Sequence, residues 1–346
     1  EQEHVGFWDT AVQGSDALRT SIRRRCMDES AKVLGICRAS VFWDMEKFYD
    51  TIDTKALISL AVAMHYPKIN LALGMLLHWA PRVLRCGGHC SRIQAVHSSI
   101  LAGCTQSTTF AKIILHDILK IAHEREAPPG ALITQASIIE PGVMEEIIQA
   151  PISIEEFVDD LAQTTEGIEE VVIDKVSRTA QFLERSLRGV KLIYNKTKTT
   201  AVATSLSVAQ KIRDLLGQAG VHIAAATSVR DLGTDAAGGQ RRSVKTPQAR
   251  AKQAESRTGG VQRLLQQTAA ARKLYNTGLA PSAEWGCASY GTAPSQVQRL
   301  RRLAANTSGI GGTGTCLATS IALGHGAKHD PQHTIPRQVV QQWIGV

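Results

Sequence analysis

Three carboxylates are the residues best suited to chemistry: Asp44, which ends a short apolar run, and the adjacent pair Asp159-Asp160. Hard divalent cations prefer oxygen donors of this kind. Two such ions held close together can activate an attacking hydroxyl and stabilise a leaving pyrophosphate, which is most of what phosphoryl transfer requires. Without cations the same carboxylates repel one another and hold their protons more tightly. Taken alone, an Asp-Asp pair after an aromatic residue is an ordinary polar hairpin turn, so the chemical reading depends on what surrounds it.

The elements that must position these groups are visible in the apolar periodicity. Ala39-Ser40-Val41-Phe42-Trp43 reads as a buried strand that delivers Asp44 at its end. Two helices follow, broken at Pro67, and a polar turn over Leu101 to Ser107 leads into a helix through Phe110, Ile113, Ile114 and Leu119. Residues 124–150, with Pro128-Pro129-Gly130 and Pro141-Gly142, read as an irregular connection. Ile152 to Thr165 is then a strand-turn-strand with Asp159-Asp160 at its bend. Ile168, Val172, Val176, Leu183 and Leu187 recur at helical intervals, followed by a strand at Lys191 to Tyr194, a turn at Asn195 to Lys198 and a strand at Thr200 to Ala203. Upstream, Ser15-Asp16 caps an amphipathic helix with Arg19, Arg23, Arg24 and Arg25 on its wet side.

Beyond residue 238 the composition shifts to Arg, Gln, Ala and Gly, which marks a boundary before a basic helical segment carrying Arg241, Arg242, Lys245 and Arg250. The 39 Lys and Arg exceed the 31 Asp and Glu, a net charge of +8 that favours polyanionic partners. No apolar run is long enough to span a bilayer and no signal peptide opens the chain, which points to a soluble intracellular protein with no membrane partner. Seven scattered cysteines do not make a secreted disulfide framework. Cys86, His89 and Cys90, and His325, His329 and His333, lack the paired spacing of a closed zinc site. Glu1 in place of Met is expected of a piece of a longer product.

The order of the short motifs resembles one family. Asp44-Met45-Glu46-Lys47-Phe48-Tyr49-Asp50 is similar to the D-x4-[FY]-D motif of reverse transcriptases, especially those of non-LTR retrotransposons, and Phe157-Val158-Asp159-Asp160 to their [FY]-x-D-D motif. Gly103-Cys104-Thr105-Gln106-Ser107 resembles G-x-x-Q-G, Asn195 to Thr199 resembles N-x-x-K-T, and Asp231-Leu232-Gly233 resembles the Leu-Gly of the primer grip. With His4 to Phe7 and Gly14 to Ala17 similar to the tail of the fingers, the resemblance runs from about residue 4 to 235.

The resemblance implies a right-hand α/β (α+β) polymerase: a fingers remnant at 1–38, a palm of antiparallel sheet backed by helices at 39–237, and a basic, helical, thumb-like region at 238–346. It implies RNA-directed DNA polymerisation with an RNA template, a DNA primer, deoxynucleoside triphosphates and two Mg²⁺ ions, Mn²⁺ being a possible substitute. Asp44 and Asp159 become metal ligands, with Asp160 as a supporting carboxylate. Tyr49 falls where an aromatic crowds the sugar 2′ position, a steric way to select deoxynucleotides, although it also reads as a core residue. Gln106 and Ser107 would line the nucleotide, Ser107 standing where the family has Gly. Lys198 is a proton donor for the pyrophosphate or a solvated turn lysine. Leu232, Gly233, Arg241, Arg242, Lys245 and Arg250 would hold the nucleic acid, the cations being free of nearby carboxylates. Two other readings stand beside it: an RNA-dependent RNA polymerase, and a decayed or domesticated retroelement that binds nucleic acid without catalysis.

Overall fold

The computed structural model describes residues 6, 8–12, 15–96, 98–126, 152–238, 242–310 and 314–344. The chain forms two compact units, Glu1–Gln13 with Ala31–Thr227, and Gly14–Ser30 with Ser228–Val346. The second unit begins ahead of the compositional change at 238, and the segment Gly14–Ser30 belongs to it. The connection expected over 124–150 lies largely outside the described residues.

In chain order, α1 spans Ala17–Val33, β1 Cys37–Trp43, α2 Phe48–Thr51, α3 Thr54–Ala63 and α4 Lys68–Trp79. A small hairpin, β2 (Arg85–Cys86) and β3 (His89–Cys90), precedes α5 (Ser107–Glu126), β4 (Ser153–Phe157), β5 (Asp160–Gly167) and α6 (Glu169–Gly189). Then come β6 (Thr200–Ala203), α7 (Leu206–Gln218), β7 (Ala224–Ala226), β8 (Val229–Asp231) and β9 (Thr234–Ala236).

The first unit is built on a five-stranded sheet of order β4-β5-β1-β6-β7. Its pairings are antiparallel except for β6 with β7. β1 is the central strand, and its residues alternate between two faces with the period of two that a pleated strand imposes. Ala39, Val41 and Trp43 join the apolar core with Leu161, Ala201 and Ala203 and with Leu115, Val176, Ala180 and Leu183 of α5 and α6. Arg38, Ser40 and Phe42 take the other face, where Ser40 meets the Thr164 hydroxyl at 2.8 Å and Arg38 meets Glu166 at 2.9 Å. The fully buried Gln163 sets a polar side chain on the core face of β5. Its amide accepts from the Trp43 indole at 3.4 Å and donates to the Val176 carbonyl at 2.8 Å, which satisfies both ends and ties sheet to helix.

Three expectations are corrected here. Lys191 to Tyr194 is no strand: Lys191 takes a left-handed φ of 64° and only Tyr194 makes a bridge, to Met45. Ile168 caps α6 and is exposed, so the buried stripe begins at Val172. Arg24 is not on the wet side of α1: it is buried, and its guanidinium donates to both Asp231 oxygens at 2.7 and 2.8 Å.

That ion pair belongs to the second unit and fastens α1 to the β8–β9 hairpin. The rest of this unit is helical: α8 (Lys245–Leu265), a π-turn at Tyr275–Leu279 continuing into α9 (Ala280–Glu284), α10 (Pro294–Asn306), α11 (Leu317–Gly324) and α12 (Pro331–Trp343). Ala251, Ala254, Thr258 and Val261 recur along one side of α8 at helical spacing and are the residues it buries. Leu300 and Leu303 of α10, Ile321 of α11 and Ile335 of α12 complete that core. No helix among the described residues is long and apolar enough to cross a membrane.

Candidate active site

The pleat decides which carboxylates meet. Trp43 pairs with Leu161 at the end of the β1–β5 ladder. One step further, Asp44 leaves β1 and Asp160 begins β5, both on the face of Phe42 and Ala162 rather than the core face. Phe157 pairs with Asp160, so Val158 and Asp159 are the two central residues of the β4–β5 turn. Val158 has a φ of 64° while Asp159 does not enter the positive region, the pattern of a II′ turn. A β-branched residue in that region is strained and persists only where its surroundings over-determine it.

Electrostatics agrees with a shared centre. Burial pushes the Asp159 carboxyl above the usual carboxylate range; its own backbone N–H opposes the shift and the Asp44 charge reinforces it. Burial likewise pushes the Tyr49 phenol up, followed by the charges of Asp159 and Asp160. Tyr49, on α2, thus feels the charge of both carboxylates while it packs against the core.

Asp44 is held from its other side by the Asn195–Thr199 turn. The Asn195 side-chain oxygen accepts from the backbone N–H groups of Thr197 and Lys198 at 3.1 and 3.2 Å, closing an Asx-type turn. The Asn195 N–H donates to the Asp44 carbonyl at 2.7 Å, and the Asp44 N–H donates to the Thr199 hydroxyl at 3.2 Å. The turn delivers the Lys198 ammonium to 3.5 Å from the Asp44 carboxylate, both side chains being largely exposed. Thr199, wholly buried, is a positioning residue that motif spacing alone did not single out.

Ser107 is buried, and its hydroxyl donates to the Leu101 carbonyl at 2.5 Å. It closes the loop at the start of α5, and the hydroxyl points into the protein. The Gln106 amide donates to the Asn70 carbonyl of α4 at 3.3 Å. Gly74 makes room for it: a Cβ there would sit 2.2 Å from the Gln106 oxygen.

Leu232, Gly233, Lys245 and Arg250 belong to the second unit, and Arg241 lies outside the described residues. Arg242 is not free of carboxylates as expected, because it donates to both Glu29 oxygens at 2.8 and 2.9 Å. Sequence reading also passed over Glu156, just before the Asp159 turn. It is buried on the core side of β4 and packed beside the Asp9–Lys112 ion pair of 2.6 Å. Desolvation first, then the Asp9 charge, push its carboxyl up to about 8 against the pull of Lys112.

Among the described residues no group of three or more His, Cys, Asp and Glu side chains is arranged as a metal site. Mg²⁺ takes one or two carboxylates and completes its shell with water and substrate phosphates. Asp44 and Asp159 are two hard donors, and a bound cation would offset the Asp44 charge that adds to burial in raising the Asp159 carboxyl.

A mostly antiparallel sheet backed by helices, with paired carboxylates at a strand end and in a tight turn, is the arrangement of a palm-type nucleotidyl-transferring polymerase. The family model described as reverse transcriptase (RNA-dependent DNA polymerase) matches residues 7–235, and the chain belongs to that family. A search of curated proteins gave no match. The match takes in every motif from Asp44 to Gly233 and ends before α8.

Proposed function

We propose that this chain is the RNA-directed DNA polymerase of a retrotransposon of the non-LTR type, working by two-metal nucleotidyl transfer onto a primer 3′-hydroxyl. The observation that carries the reading is the convergence of Asp44 and Asp159 at one end of the sheet, with the Lys198 ammonium 3.5 Å from Asp44. Asp44 and Asp159 hold the divalent cations, and Asp160 adds negative charge beside them. When bound, the ions favour ionisation of the primer hydroxyl and neutralise the charge that builds on the triphosphate. The primer O3′ forms a bond to the α-phosphorus as the bond to pyrophosphate breaks. Lys198 gives a proton to the departing pyrophosphate, and Tyr49 closes the space a ribose 2′-hydroxyl needs.

The test is primer extension on an RNA template with Mg²⁺. Asp159→Asn, nearly isosteric but uncharged, should lower the rate at least about a hundred-fold with an unchanged melting temperature. Near-normal extension by the folded variant would remove Asp159 from the chemistry. A wild-type chain that binds primer–template yet never extends it would instead be a binding relic of a retroelement.

A further inference from the structure

The tip of the β8–β9 hairpin is held with unusual firmness for a two-residue turn. The buried Arg24–Asp231 pair secures one strand, and the Ser21 and Thr234 hydroxyls are hydrogen-bonded beside it. Asp235 secures the other strand by accepting from the Ser243 hydroxyl and the Thr246 N–H, each at 3.0 Å. Between them Leu232 and Gly233 both have positive φ, 47° and 76°, as a I′ turn requires. A leucine in the left-handed region is strained, and here it stays partly exposed.

Two side chains converge on Gly233. A Cβ at this position would lie 2.8 Å from both the Arg250 guanidinium Nη2 and the Trp285 indole Nε1. Arg250 also donates through Nη1 to the Trp285 carbonyl at 3.0 Å, so cation and indole are held as a pair. Trp285 sits where α9 ends, and Gly286, with a φ of 85°, turns the chain away. Its neighbours Ala283, Glu284 and Cys287 are buried, whereas the indole keeps 39% of its surface exposed. A large aromatic at the surface beside a fixed guanidinium matches the chemistry of one nucleotide: a stacking face and a cation for the phosphate.

We propose that Trp285, with Arg250 and the Leu232–Gly233 turn, forms a binding site for one nucleotide of a nucleic-acid strand, the indole packing on base or sugar and the guanidinium meeting the phosphate. The site rests on the nucleic-acid-copying function argued above. Trp285 lies beyond residues 7–235, so the family match does not assign it.

The test uses the whole chain and a fluorescent DNA primer annealed to an RNA template, with affinity measured by anisotropy across a salt series. Trp285→Ala should weaken binding roughly ten- to a hundred-fold with the salt slope unchanged, and Trp285→Phe should restore most of it. Arg250→Ala should instead reduce the log–log salt slope by about one. A primer carrying 5-iodouracil near its 3′ end should crosslink to the peptide containing Trp285. Wild-type affinity in a Trp285→Ala variant with an unchanged melting temperature overturns the site while leaving the polymerase reading intact. Failure of the unaltered chain to bind any primer–template overturns both.

Discussion

Replacing Thr199 with valine removes one oxygen and almost no volume, which makes it a direct probe of how Asp44 is held. The Thr199 side chain is wholly buried and its hydroxyl accepts the Asp44 N–H at 3.2 Å. The Thr199 backbone bonds, N–H to the Asn195 carbonyl at 2.8 Å and carbonyl from the Ala224 N–H at 2.9 Å, do not depend on the side chain. A buried donor left without its acceptor costs about 1–3 kcal/mol, and a bond at the long end of the range belongs near the lower half, about 1–2 kcal/mol. For a unit of this size that lowers Tm by about 2–8 °C. If the Asp44 backbone relaxes, its carboxylate leaves the position a cation needs, and up to about 1.4 kcal/mol lost there raises the Mg²⁺ concentration for half-maximal extension about ten-fold. The assay is a Mg²⁺ titration of single-nucleotide extension beside thermal melting, with Thr199→Ser as the rescue. Serine keeps the acceptor and should recover the Mg²⁺ dependence. A valine variant that melts lower but needs no more Mg²⁺, or a serine variant no better than valine, refutes the positioning role.

Two further outcomes follow from the geometry. Tyr49→Ala opens the wall beside Asp159 and Asp160, so ribonucleotide incorporation should rise relative to deoxynucleotide; an unchanged ratio in competitive incorporation returns Tyr49 to the core alone. Glu156 has a folded-state carboxyl raised from an ordinary 4.5 to about 8, so its stability contribution is fully present below about pH 4.5 and is lost as pH climbs to about 8. Glu156→Gln keeps the neutral form at every pH, and its Tm advantage over wild type should widen across that window and level off above it. Parallel Tm–pH curves would show that Glu156 is ionised at neutral pH.

Much of the centre was legible because local rules and tertiary structure agree there. An apolar run ending in Asp44 and a turn at Asn195 to Lys198 are each dictated by residues close in sequence, whereas the bend expected at Asp159-Asp160 falls one residue earlier, at Val158-Asp159, with Asp160 already paired to Phe157. What escaped notice depends on partners far away. Arg24 has the pattern of a solvated helix arginine, and Asp231, on a hairpin far along the chain, gives it a reason to be buried. Ser107 looked like an intrusion on the substrate because a sequence states that a hydroxyl is present, not which way it points. Arg242 looked free because Glu29, on α1, is 213 residues away in sequence. Lys191 to Tyr194 has strand composition, yet its left-handed first residue and its need to return to Met45 leave a single bridge.

The shortness of the β4–β5 turn fixes what evolution can do to this strand pair. With only Val158 and Asp159 between the paired Phe157 and Asp160, no slack separates the two strands. One residue gained or lost here would shift β5 by one step against β1 and exchange its two faces. Gln163, whose amide is spent on Trp43 and Val176, would leave the helices, and Thr164 would be pressed into apolar packing in its place. The segment can therefore drift by substitution but not by change of length, and the distance along the chain from Ile154 to Thr165 should stay constant in any working relative.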